Sequence, residues 1–181
     1  MPPRPLEPQW LSERAWCLRA NRWARRIGVR QFFALVSRCG DGVFWYTLMG
    51  ALVVFDGMRG LSASLHLAAT GVVALSLYKA LKRWTRRARP FASDVRIRAW
   101  VAPLDEFSFP SGHTLHAVAF STVALAWYPQ LGWVLVPFAL CVAVSRVVLG
   151  LHYPSDVLAA MGLGGCVAGT SLWLGRSIGW A

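Results

Sequence analysis

A chain of 181 residues that is 56% hydrophobic and 15% charged, with ten Trp and a mean hydropathy of +0.44, is too apolar for an ordinary soluble domain and belongs in a bilayer. Its formal net charge of +11, from 19 Lys and Arg against 8 Asp and Glu, would in a polar chain point to nucleic acid; here the basic residues are mixed with Trp and adjoin apolar runs, which points to anionic headgroups. Cys17, Cys39, Cys141 and Cys166 form neither a CxxC pair nor a ligand spacing, so they read as packing residues rather than disulfides or metal ligands.

The N-terminal segment, 1–41, is basic and aromatic together between residues 10 and 37. Trp16, Ala20, Trp23 and Ile27 follow i, i+4, i+7, i+11 and share one face of a predicted helix. Arg14, Arg22 and Arg25 point elsewhere, and Arg19 and Arg26 lie at the border, where long stems snorkel. This is the pattern of an amphipathic helix lying on anionic headgroups. No cleavable signal sequence is expected, because Pro, Glu and Arg interrupt the first apolar runs. Ser37-Arg38-Cys39-Gly40-Asp41-Gly42 then breaks the pattern and predicts a turn and N-cap, with Arg38 and Asp41 as candidates at the mouth of a site.

Residues 42–181 read as one membrane domain, an all-α polytopic bundle. Its apolar segments are 43–55, 61–81, 114–127, 131–150 and 157–174, several of them near the roughly 20 residues that span hydrocarbon. The first and third are short and lengthen if they begin at Gly42 and Ser111, which makes about five spanning helices. The connection 83–109 is long for a compact bundle and predicts a collar or lid, broken by Pro90 and Pro103 with Pro110 just beyond it.

Chemistry concentrates at the ends of these segments. Lys82 is followed by Arg89-Pro90, then Pro110-Ser111-Gly112-His113, then Ser145-Arg146 with His152 and Asp156 behind them. Lys82, Arg89 and Arg146 are cations for phosphate oxygens, and the planar Arg fork binds two oxygens at once. Ser111 and Gly112 stand where an apolar helix begins, so a hydroxyl and backbone N–H groups meet an anion at the favourable end of the helix dipole. His152 and Asp156, spaced i, i+4, fall on one face if the turn is helical, and the carboxylate then holds an imidazole N–H. Even helix order brings all three clusters to one end of the bundle. His116 and His66 read as packing residues, with lining the pocket as the alternative for His116, one helical turn past His113; Arg83, Arg86, Arg87, Arg96 and Arg98 read as headgroup contacts.

The ordered set K-x6-R-P, P-S-G-H and S-R-x5-H-x3-D resembles the signature of the type-2 phosphatidic acid phosphatase superfamily, matched without departure from Lys82 to Asp156. The resemblance implies a multi-pass lipid phosphatase of a bacterial inner membrane that needs no metal or other cofactor. It implies His152 as nucleophile through a phosphohistidine, Asp156 as its orienting partner, and His113 as the acid that protonates the leaving alkoxide and then the base that activates water. Lys82, Arg89, Ser111, Gly112 and Arg146 would bind the phosphate. The implied partner is a membrane lipid carrying a phosphate or pyrophosphate.

Alternatives stand beside that reading. Vanadate-dependent haloperoxidases share the same kind of site but are soluble. A lipid-linked phosphotransferase would use the same motifs, and a non-catalytic lipid-binding or transport protein would not need both His113 and His152. Orientation divides two arguments. Eight Arg up to Arg38 and eight basic residues from Lys79 to Arg98 lie on the site's side, with Arg59 and Arg176 on the other, so the positive-inside rule turns the site to the cytoplasm. The resemblance turns it outward.

Overall fold

The structure, a computed structural model, describes residues 13–177 together with 179 and 180; Trp10 and the rest of the segment before Glu13 lie outside the described residues. Within them every regular element is helical. Helix α1 spans Glu13–Trp23 and α2 spans Ile27–Arg38. The predicted single amphipathic helix is therefore two, separated by a turn in which the Arg25 and Arg26 N–H groups donate to the Arg22 and Trp23 carbonyls.

Packing selects a different face of α1 from the one that hydropathy marks. Cys17, Asn21 and Ala24 are buried against the bundle, whereas Trp16, Trp23 and Ile27 stay exposed. Small side chains let α1 close on its neighbours, and Asn21 ties it to them: its Nδ2 donates to the Arg98 and Val148 carbonyls (2.9 and 3.2 Å) and its Oδ1 accepts the Arg98 N–H (3.0 Å). Burial pushes the Cys17 thiol up to about 12, so it stays protonated and serves as packing.

A wide π turn, Cys39–Val43, leads into α3, Phe44–Thr85. At 42 residues α3 reads as one rod, but it is folded in two at Asp56 (φ −131°, ψ 17°) and Gly57 (φ 51°, ψ −125°). The Ser64 hydroxyl donates to the Met49 carbonyl at 3.0 Å, so the arms 44–55 and 58–85 run antiparallel. Contact between them is backbone to backbone at Gly60, where an added Cβ would stand 1.8 Å from the Leu52 carbonyl oxygen. The tip is fixed by Tyr128, whose hydroxyl donates to Asp56 at 2.7 Å, and by Arg59, which donates to the Trp127 carbonyl at 3.0 Å.

After a short α4, Pro90–Ser93, come α5, Gly112–Trp127, then α6, Gly132–Val148, and α7, Pro154–Ser177. Helix α5 sits in the middle, packed on α3, α6 and α7, with Leu115, Ala117, Ala119, Val123 and Ala124 fully buried. The outer helices invert the pattern of a soluble protein. Val54, Phe55, Val72, Val134, Leu140 and Leu158 face outward, as the walls of a bilayer protein do. Helical stretches Ile27–Ser93, Pro129–Val148 and Pro154–Ser177 are long and apolar enough to cross a membrane, the first being folded back at Asp56–Gly57. Each of the five apolar segments read from the sequence is thus a helical arm.

The connection before α5 is tied down at several points. Asp94 is buried and paired with Arg14 (2.7 Å) and Arg96 (2.8 Å), Trp100 N–H donates to the Leu149 carbonyl, and Ser108 N–H donates to the Arg87 carbonyl.

Candidate active site

Lys82 ends the second arm of α3, Arg89 precedes α4, His113 opens α5, Arg146 closes α6 and His152 lies in the turn before α7. Antiparallel packing brings all five to one end, where they line a cavity of about 430 Å³ together with Gly112, Asp41 and Asp105. Ser111 is brought close but turned away. It is fully buried as the N-cap of α5, its hydroxyl accepting from the Thr114 N–H and meeting Thr114 Oγ1 at 2.9 Å, while its own N–H donates to the Asp156 carbonyl. Its hydroxyl therefore shapes the helix end, and the cavity itself is met by Gly112 and His113.

The cations are already in contact with an acid. Asp105 Oδ1 accepts from Lys82 Nζ at 2.6 Å and from Arg89 Nη2 at 2.7 Å, and Arg89 Nε donates to the Asp105 carbonyl at 3.1 Å. Burial acts to raise the Asp105 pKa, but the two cations outweigh it and hold the carboxyl below its ordinary range, so it is an anion. Arg146 is buried as well: it donates through Nη1 to Ser37 Oγ, while its Nε is buried with no hydrogen-bond partner among the described residues. Three cations against Asp41 and Asp105 leave the cavity with a surplus of positive charge. An anion fits that surplus.

His152 is almost fully buried, and burial drives its imidazole down to about 3 against the pull of Asp156; it is neutral above that pH. Arg89 Nη1 lies 3.4 Å from its Nε2, which directs the lone pair of that nitrogen to the cation side and the N–H to Nδ1. Asp156 Oδ2 lies 3.6 Å from Nδ1, an electrostatic contact longer than the hydrogen bond that the i, i+4 spacing predicts. The carboxylate is instead held by others. Ser108 Oγ and the Tyr153 N–H (2.8 Å) donate to Oδ2, and Arg87 Nη1 donates to Oδ1 at 2.7 Å.

Arg87 thus turns inward rather than to headgroups, joining Asp156, Ser155 and Glu13. Arg87→Met is expected to leave the buried Asp156 without its charged partner and to cost about 2 kcal/mol, less than for a fully buried pair because Arg87 is a third exposed. The thermal midpoint should fall by roughly 4–8 °C. Arg83→Met, at an exposed position on α3, should leave it unchanged.

Asp105, Ser108, Arg87 and Ser37 escape a reading by motif. An acid eight residues before His113 is the one local sign of Asp105; Ser37 and Arg87 sit in stretches that composition assigns to the surface. His116 packs between Tyr78 and Phe120 and also lines the cavity, with Nδ1 2.9 Å from the Gly112 carbonyl. His66 binds Ser171 (2.8 Å) and accepts from Trp127 Nε1 (3.2 Å), a structural role.

The sequence model of the PAP2 superfamily matches residues 59–179. Undecaprenyl-diphosphatase BcrC of Bacillus subtilis is 29% identical over 119 residues, covering 66% of this chain and 61% of that protein. Phosphatidylglycerophosphatase B of the same organism is 30% identical over 176 residues, 85% of this chain and 73% of that protein, so the chain spans less than two thirds of the first relative and more than two thirds of the second. Among solved structures, a transmembrane PAP2 type phosphatidylglycerolphosphate phosphatase from Bacillus subtilis superposes with a TM-score of 0.74 at 22% identity, covering 92% of this chain and 85% of that one, which shows a shared fold.

Proposed function

The chain belongs to the PAP2 superfamily, and we propose that it is a multi-pass phosphatase of a bacterial inner membrane that hydrolyses a phosphate monoester or pyrophosphate of a lipid through a phosphohistidine, without metal. One observation carries this reading. The cavity that holds Lys82, Arg89 and Arg146 continues as an apolar groove between the arms of α3 and α5, past Trp45, Met49, Gly71, Leu75 and Phe120. Tyr46 and Val72 on its rim face outward. A molecule with a phosphate head and a hydrocarbon tail matches both halves, and the names of the relatives describe enzymes for such molecules.

The residues divide the work as follows. Incoming phosphate takes the place of Asp105 on Lys82 and Arg89 and brings oxygens to Arg146 and the Gly112 end of α5. His152 Nε2 attacks phosphorus, the bond to the leaving oxygen breaks, and His113 gives that oxygen a proton. Water then attacks the phosphohistidine, its proton passes to His113, and inorganic phosphate departs with His152 restored. Asp156, braced by Arg87 and Ser108, keeps the His152 proton on Nδ1. Outside the site, the exposed Trp16 and Trp23 and the neighbouring Arg19 of α1 rest on anionic headgroups.

Purified protein in mixed micelles, given phosphatidate, phosphatidylglycerol phosphate, undecaprenyl pyrophosphate and a lipid A phosphate in turn, should release phosphate from at least one in the presence of EDTA. Vanadate should inhibit, since it adopts five-coordinate geometry in the same cradle. Activity that EDTA abolishes and Mg²⁺ restores would overturn the metal-independent mechanism.

A further inference from the structure

Asp41 is delivered to the cavity by an unusual piece of backbone. Helix α2 does not end at Arg38 but widens into the π turn Cys39–Val43, and Gly42 adopts φ 130°, a conformation in which an L side chain is strained. An added Cβ at Gly42 would stand 2.8 Å from the Tyr46 ring, and one at Gly40 would stand 3.1 Å from Val142 and 3.9 Å from His113 Cδ2. The two glycines thus let the chain approach α6 and the first turn of α5 with Asp41 between them. Its Oδ1 lies 2.6 Å from His113 Nε2, an ion-pair approach rather than a linear hydrogen bond. Of the other two carboxylates at the site, Asp105 is engaged by Lys82 and Arg89, and Asp156 by Arg87, Ser108 and the Tyr153 N–H.

His113 has an electrostatic difficulty that such a neighbour resolves. To protonate a leaving alkoxide it must carry a proton, yet it is 9% exposed and faces Arg146 from α6 and His116 from its own helix. Lys82 and Tyr78 from α3, Arg89 and Asp105 from the connection, and His152 line the same cavity, while Arg38 lies near Asp41. A buried imidazolium amid cations is disfavoured unless an anion touches it. We propose, on the reading given under Proposed function, that Asp41 is a positioning residue for His113: it holds Nε2, so that Nδ1–H points to the leaving oxygen and the ring is charged when the P–O bond breaks. The site then has two carboxylate–imidazole pairs of opposite duty. Asp156 serves a neutral nucleophile, and Asp41 serves a charged acid.

Asp41→Asn keeps the shape and removes the charge. With a lipid phosphate monoester, kcat/KM should fall roughly 10²-fold and its basic limb should move about one to two pH units lower. With an aryl phosphate, whose departure needs little protonation, the loss should be within about tenfold. Asp41→Glu should recover part of the lipid activity and return the limb upward. Equal losses on both substrates with an unmoved pH profile would overturn the proposal. A second readout does not depend on turnover: in protein with ¹⁵N-labelled histidine, the His113 titration should fall by a similar amount in Asp41→Asn, and an unchanged titration would also overturn it. Should the wild type release phosphate from none of the lipids while that titration still moves, the functional reading fails and the ion pair stands.

Discussion

His152→Ala is expected to lose all detectable turnover and to trap no acid-labile phosphate, whatever the leaving group. Nε2 of His152 faces the cations at 3.4 Å from Arg89, and His152 is a neutral imidazole, available as a nucleophile from about pH 3 upward. His113→Ala should behave differently, losing about 10²–10⁴-fold on a lipid phosphate with a poor alkoxide leaving group. An aryl phosphate should partly rescue it, because a stable phenolate departs without an acid, and rapid-quench labelling should then find phosphate on the protein. Asp156→Asn should fall between the two, since Arg87, Ser108 and the Tyr153 amide still shape the turn. Acid-labile phosphate on His152→Ala, or aryl rescue of that variant alone, would exchange the roles of the two histidines.

Gly60→Ala should have the largest effect on stability. Its new methyl would stand 1.8 Å from the Leu52 carbonyl oxygen, 2.4 Å from its carbon and 2.9 Å from the Val53 nitrogen, all backbone atoms that no rotamer change can move aside. The arms of α3 must spread, which also disturbs the Ser64 to Met49 hydrogen bond and the groove beside the cavity. A cost of about 3 kcal/mol or more is expected, seen in detergent as a midpoint roughly 6–12 °C lower. Gly50→Ala in the first arm meets nothing within 4 Å and removes a poor helix former, so its midpoint should hold or rise slightly. Equal midpoints for the two variants would mean that the arms are not in backbone contact at Gly60.

Membership of the bilayer, the helical arms and the three motif clusters follow from the chain read alone, because hydropathy and spacing are local properties and the bilayer rewards them segment by segment. Lys82, Arg89, Gly112, His113, Arg146 and His152 needed no more than that and an antiparallel helix order to meet at one end. Tertiary structure decided which acids stand among them. Arg87 reaches Asp156 across 69 positions and Arg146 reaches Ser37 across 109, and no periodicity links residues so far apart. It also decided which side of α1 is buried. Bulk hydrophobicity marks Trp16 and Trp23, but close helix contact favours the small Cys17, Asn21 and Ala24, and a bilayer protein leaves its large apolar side chains outside. Asp41 lies between these cases: its glycine neighbours announce a turn, but only the packing of that turn on α5 and α6 shows that it touches His113.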